Sequence, residues 1–425
     1  MTERSYKTPG VYVEEIPSPV PEVQGVITAM PAFVGFTEFA AFGAYGEAVQ
    51  ISSAREFAFR FGGMPPAGAT FQLAAQIGLF FANGGTTCQV ISAGSYWEGQ
   101  APETAPEATG DWRLAAPAAD ALLAALAVAG EVAEITMLVV PEACLLSTPD
   151  HARLIQAMLR QAGTLRNRMA ILDLPGCIQA TDLPALRQGR ADLAAALAAV
   201  AEFASYGAAY APALKLQYPG GPGADLVTPP SGAVAGVWAR SDLAKGVWVP
   251  PAGVQFEVVA DPQSGGVADL AFRMGGDEQG DFNAPLDGVA VDILRFIPGY
   301  NLVVWGARTL DGNSDDWRYL AVRRACIYVE QSIGRAMQAF AFEPNNSSTW
   351  GRVKAMVENF LVTLWQAGAL QGAKPSDAYF VSVGLGTTMT AQDVVAGRLR
   401  LEIGVAIAHP AEFVLLGIEQ EMQPA

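Results

Sequence analysis

Apolar residues recur along this chain with two periods, and the first half alternates between them. Near-continuous apolar runs that read as strands occupy Ala32 to Phe36, Cys88 to Ala93, Glu134 to Val140, Met169 to Leu174 and Ala211 to Leu216. Helical stretches separate them, at Phe71 to Asn83, Ala118 to Val128, Ser147 to Leu165 and Leu183 to Phe203. Strands apolar on both faces, alternating with helices, predict a largely parallel sheet covered on both sides. This places an α/β domain at residues 26–260, with a short Pro- and Gly-punctuated insertion at 96–116.

The pattern then changes. Between Asp261 and Asp292 seven acidic residues accompany the single Arg273 around a Gly-rich middle, which predicts a connector at 261–290. Val291 to Leu310 reads as strands broken at Pro298-Gly299. Val322, Cys326, Val329, Ile333, Met337 and Phe340 follow at spacings of three and four, one helical stripe. Val353, Val357, Phe360 and Leu364 mark the buried face of another helix, and Leu399 to Ile407 alternates with the period of a strand buried on one face. Residues 291–410 are therefore expected to form an α+β carboxyl-terminal domain. Phe413 to Ile418 reads as one more strand, in a terminal segment at 411–425. The first 25 residues, punctuated by Pro9, Pro17, Pro19 and Pro21, contain one extended piece, Val11 to Ile16, too short to build a core.

Charge narrows the function. Lys and Arg number 26 against 42 Asp and Glu, a net charge of −16 that repels nucleic acid and anionic bilayers. No run reaches the ~18 apolar residues of a membrane span, and the first residues lack the apolar centre of a signal peptide, so cytoplasmic assembly is expected. Cys88, Cys144, Cys177 and Cys326 are too scattered for a metal knuckle or a legible disulfide framework, and read as free thiols.

Candidate chemistry is sparse. His151 and His409 are the two histidines, and no Gly-Lys dipeptide, nucleophile elbow or dinucleotide fingerprint occurs. The spacing of Asp311, Asn313 and Asp315 suggests a calcium loop, but Asp316 stands where glycine is needed and Val322 where the bidentate glutamate is needed. Asp173, at the carboxyl end of a strand, occupies a place where open α/β enzymes put catalytic groups. It is the residue to watch in the alternative reading, a soluble α/β enzyme with a helical second domain. No catalytic, cofactor-binding or metal-binding residue is assigned, and no cofactor is expected.

Several passages together resemble the contractile tail sheath family of phages and phage-tail-like injection systems. They are Thr8 to Ser18, Ala32 to Phe36, Phe61-Gly62-Gly63, Phe80 to Gly85, Pro229 to Arg240 with Lys245 to Trp248, Val304 to Leu310, Trp317-Arg318-Tyr319, Val322-Arg323-Arg324, Phe342 to Asn345 and Pro410 to Phe413. The resemblance implies a structural subunit of a six-stranded helical sleeve around an inner tube, assembled on a baseplate, closed by a tail terminator and contracting once triggered. It further implies an outer α/β domain and an inner carboxyl-terminal domain. Terminal arms are expected to join the carboxyl-terminal domains of adjacent subunits. Carried onto this chain, they are Val11, Tyr12, Val13, Glu14, Glu15 and Ile16, and Phe413, Val414, Leu415, Leu416 and Ile418. A loose single strand is a poor element of its own fold and a good addition to a neighbour's sheet edge. An edge strand folded onto its own domain remains the alternative.

Eight basic residues against five acidic ones lie between Arg295 and Lys354, in a chain otherwise strongly acidic. In the family this domain is innermost, so Arg352 and Lys354, with Arg323 and Arg324, are candidates to face the tube. The short insertion at 96–116 points to a compact injection system or a small phage.

Overall fold

The computed structural model describes residues 22–41, 45–65, 70–97, 117–217, 225–259 and 269–412. The chain begins with β1 (Pro31–Thr37), β2 (Ala48–Ile51), α1 (Ala54–Phe61), α2 (Leu73–Ala82) and β3 (Cys88–Ser95). It continues through α3 (Ala119–Glu131), β4 (Met137–Val139), α4 (Thr148–Leu165), β5 (Met169–Asp173), α5 (Leu183–Leu197), β6 (Gly207–Ala211), β7 (Leu214–Gln217) and β8 (Asp225–Thr228). Then come α6 (Ser231–Lys245), β9 (Asp269–Leu270), α7 (Gly276–Asn283), β10 (Asp292–Phe296) and β11 (Leu302–Val304). The carboxyl-terminal part holds α8 (Leu320–Met337), α9 (Ser347–Gln366), α10 (Pro375–Ala378), β12 (Tyr379–Val383), α11 (Ala391–Val395) and β13 (Leu401–Val405).

The central sheet has eight strands in the order β11-β10-β6-β5-β4-β1-β3-β2. Strands β10, β6, β5, β4, β1 and β3 run parallel, and antiparallel β11 and β2 close its edges. Every residue of β1, β5 and β6 is buried, as near-continuous apolar strands require when both faces are covered. Alternate side chains separate two cores. Ala32, Val34, Leu138 and Leu172 join the layer under α3, α4 and α5, while Phe33, Val90, Met137 and Ile171 join the layer under α2 and α6.

Helix α6 is the most deeply buried, every residue from Ser231 through Ala239 being covered, and within that run Trp238 Nε1 donates to the Tyr210 hydroxyl at 3.1 Å. It can lie this close to α2 because Gly232 and Gly236 face the backbone of its neighbour. A Cβ at either would stand 2.5 Å from a carbonyl oxygen, that of Gln76 or Phe80. Buried Gln76 completes the contact: its Nε2 donates to Thr228 Oγ1, and its Oε1 accepts from Gly232 N, each at 2.6 Å.

Two expectations change. The run from Ala211 to Leu216 is split: β6 ends at Ala211 and β7 starts at Leu214, because Pro212 has no N–H to continue the ladder. More consequentially, β10 and β11 finish the central sheet instead of opening a second unit at 291, and α7 lies inside the stretch taken for a connector. The carboxyl-terminal body is accordingly the later one, gathered by Val322, Val329 and Ile333 of α8, Val353, Val357, Phe360 and Leu364 of α9, and Val381 and Ile407. Asn346 starts α9 by accepting from Ser348 N and Thr349 N.

Candidate assembly interfaces

The first turns of α8 form the seam between the two bodies. Arg324 donates through both Nη atoms to the carboxylate of Asp242 on α6, at 2.8 and 2.6 Å, with its guanidinium 4.5 Å from the Trp238 ring centroid. Arg323 stacks 3.4 Å from the Trp317 ring centroid and donates to Ser205 Oγ at 2.5 Å. Flat, always-charged guanidinium groups suit such stacked and forked sites. Both arginines are buried, at 8% and 5% exposure, so the expectation that they face a tube is corrected: they fasten α8 to the α/β domain. Arg352 and Lys354 remain accessible on α9, beside Glu343 at 2.7 Å and Glu358 at 3.8 Å.

The segments expected to be arms, Val11 to Ile16 and Phe413 to Ile418, lie outside the described residues, but the places from which both depart are fixed. Val23 is buried in the carboxyl-terminal core, and Val26 N donates to Ser332 Oγ on α8 at 3.1 Å. At the other end Glu412 receives a forked pair from Arg308, Nε to Oε1 at 2.8 Å and Nη2 to Oε2 at 2.6 Å. Asn283 Nδ2 donates to the same Oε1 at 2.7 Å. Burial opposes ionisation of Glu412, but Arg308 and Asn283 hold its carboxyl below the ordinary value. Arg308 and Glu412 stand in two separate passages of the sequence. Nothing in residue spacing pairs groups 104 positions apart.

Strands β12 and β13 form an antiparallel pair, Tyr379 opposite Val405 through Val383 opposite Leu401. Among the described residues neither has a second ladder partner, so two strand edges stand open beside the core that anchors Val23.

The places where an α/β enzyme would do chemistry are used by the fold. Glu142 Oε1 accepts from Gln72 N and Leu73 N at the start of α2, at 3.1 and 3.0 Å. Asp173 Oδ1 accepts from Ser231 N at the start of α6, at 3.0 Å. Burial pushes each carboxyl up to about 7, against hydrogen bonds that favour the anion at a positive helix end. His151 is buried with Nε2 3.3 Å from the Asp173 carbonyl oxygen, and burial pulls its ring down to about 4. Asp173 therefore acts as a helix cap in the position the enzyme reading gave it. Among the described residues no group of three His, Cys, Asp or Glu could hold a metal, and no helix is long and apolar enough to cross a membrane.

Comparison with known proteins agrees with this architecture. The family model for the phage tail sheath C-terminal domain matches residues 313–421. The sheath of the extracellular contractile injection system PVC, in its contracted state, is 29% identical with a TM-score of 0.71, covering 99% of each chain. The contracted helical sheath of the anti-feeding prophage is also 29% identical at a TM-score of 0.71, covering 98% of this chain and 100% of that one. A sheath tail protein from Desulfitobacterium hafniense, 12% identical, shares the fold at a TM-score of 0.56 over 88% of this chain and 93% of its own. No curated protein sequence matches. Residues 313–421 thus match the phage tail sheath C-terminal domain, and over nearly its whole length the chain is similar to the contractile sheath proteins of two injection systems.

Proposed function

We propose that this chain is the structural subunit of a contractile sheath, whose copies polymerise as a helical sleeve around an inner tube and shorten to drive it outward. The observation that carries the reading is the two-way, nearly complete coverage with contracted injection-system sheaths at 29% identity. Its partners are further copies in a six-stranded lattice, an inner tube protein, and baseplate and terminator proteins. Assembly takes place in the cytoplasm, and the chain performs no catalysis.

Subunits are tethered by strand exchange, Val11 to Ile16 and Phe413 to Ile418 extending the open edges of β12 and β13 in neighbouring copies. Two features support this: a two-stranded pair is marginal without further strands, and both tethers leave from fixed points. Arg352 and Lys354 face acidic groups on the tube, through exposed contacts worth only ~0–1 kcal/mol each that can be released. If contraction buries ~100 Å² of further apolar surface per subunit, each contributes about 2.5 kcal/mol, and many copies act together without nucleotide. Electron microscopy of the purified protein with an inner tube protein tests the reading. Helical sleeves are expected, and a monodisperse monomer under all assembly conditions contradicts it.

A further inference from the structure

The loop between α8 and α9 presents a side chain that its own fold does not use. Glu343 N donates to Phe340 O at 3.1 Å and closes a turn. Within it Ala341 has φ −60° and ψ 132°, and Phe342 has φ 70°. This is the type II pattern, whose third position belongs to glycine or asparagine because an L side chain there crowds its own backbone. Phenylalanine fills it, with its side chain fully exposed. Arg166, the other non-glycine with positive φ among the described residues, closes α4 and carries a polar chain at home in water. Phe342 has no such accommodation.

A cavity of about 620 Å³ opens at the opposite end of α8, walled by Trp305, Arg295, Gln279, Pro250, Tyr319 and Pro410. Trp305 is 40% exposed. Gln279 Oε1 accepts from Arg295 Nη1 at 2.8 Å, while Arg295 Nε, shut off from water, has no hydrogen-bond partner. The 18 residues of α8 span about 27 Å, so Phe342 does not reach the cavity of its own chain.

We propose that Phe342 of one copy seats in the Trp305–Arg295 cavity of a second copy. The inference rests on the sheath reading and names one of its contacts. The phenyl ring lies against the indole, and the carboxylate of Glu343, next in sequence and held through Oε2 by Arg352 of its own chain at 2.7 Å, turns its other oxygen to the Arg295 guanidinium on the cavity wall. A knob and a socket on different faces make a heterologous contact, which propagates into an open helical array where a self-complementary patch closes into a dimer. The Glu343 N to Phe340 O bond holds the turn in the free chain, and the contact with the neighbour gives phenylalanine a use at a position that otherwise favours glycine or asparagine.

The test uses the full chain assembled with an inner tube protein. Phe342→Ser and Trp305→Ala should each reduce sheath yield by about tenfold or more, as for a central aromatic anchor. Phe342→Asn should leave the thermal midpoint of the monomer unchanged or raise it, while losing assembly in the same way. Copies carrying only Ala341→Cys, mixed with copies carrying only Ala411→Cys, should be joined by a short bis-maleimide in sheaths and not as monomers. Normal sheaths from Phe342→Ser without that cross-link overturn the contact and leave the sheath reading standing. Normal sheaths that form free but fail on a tube overturn it in favour of the tube protein as occupant. Protection of Ala411→Cys from maleimide in the monomer, lost on deleting residues 413–425, overturns it in favour of the chain's own end. A wild-type chain that never polymerises overturns the sheath reading and the contact with it.

Discussion

Arg324 carries its charge into the seam between α8 and α6 with Asp242 as counter-ion, each side chain 5% exposed. A buried pair of this kind gains little over an apolar substitute, but removing one member strands the other at a cost of about 3–5 kcal/mol. Asp242→Ala should therefore lower urea stability by about 3 kcal/mol or more, and Arg324→Met with Asp242→Leu should recover most of the loss. An equal loss in both variants would show that mutual attraction, not the stranded charge, sets the effect. The count of basic residues from Arg295 to Lys354 was legible in the sequence, but its direction was not. Neighbouring positions on a helix point about 100° apart, and the stripe Val322, Val329, Ile333 identifies one buried face without saying that a second body covers Arg323 and Arg324. Phe342 was equally hidden: a residue's φ is set by the turn that closes around it.

Elements with one clean period stand where the sequence placed them. Strands β1 and β5 are near-continuous apolar runs buried throughout, β3 is buried over its first five residues, and α4 and α9 each bury a single stripe. Helix α6 was not legible as a helix, since it is buried all round and carries glycines that count against helix formation until the facing backbone is known. That backbone yields a contrast. Gly236→Ala improves helix propensity by about 1 kcal/mol, yet the new Cβ meets the Phe80 carbonyl at 2.5 Å, so a net loss of about 1–3 kcal/mol is expected by chemical denaturation. Gly334→Ala, at an exposed position of α8 where nothing lies within 4 Å, should instead stabilise by about 0.5–1 kcal/mol. The same sign at both positions would mean that close packing of α6 on α2 does not govern Gly236. The boundary at 291 failed for a related reason: two short strands after an acidic stretch look like a beginning, and only long-range pairing of Asp292 with Tyr210 and Ile293 with Ala211 makes them an end.

For the whole molecule, the two bodies are joined by α8, by the chain entering at Val23 and by the Arg308–Glu412 pair. None of these needs residues 1–20. Deleting those residues should leave the circular dichroism melt of the monomer unchanged and abolish polymerisation in sedimentation and electron microscopy. Normal sleeves from the truncated chain would refute the tether role of Val11 to Ile16. The Arg308–Glu412 fork also decides where a mechanical load enters the subunit. Tension on residues beyond 412 first meets a two-pronged bond to the rim of the eight-stranded sheet, seven residues past the end of β13. Without it the same pull would open the Ala408–Ala369 and Ala406–Ala378 backbone hydrogen bonds and then peel β13 from β12 one bond at a time, the weakest direction in which an antiparallel pair can be opened.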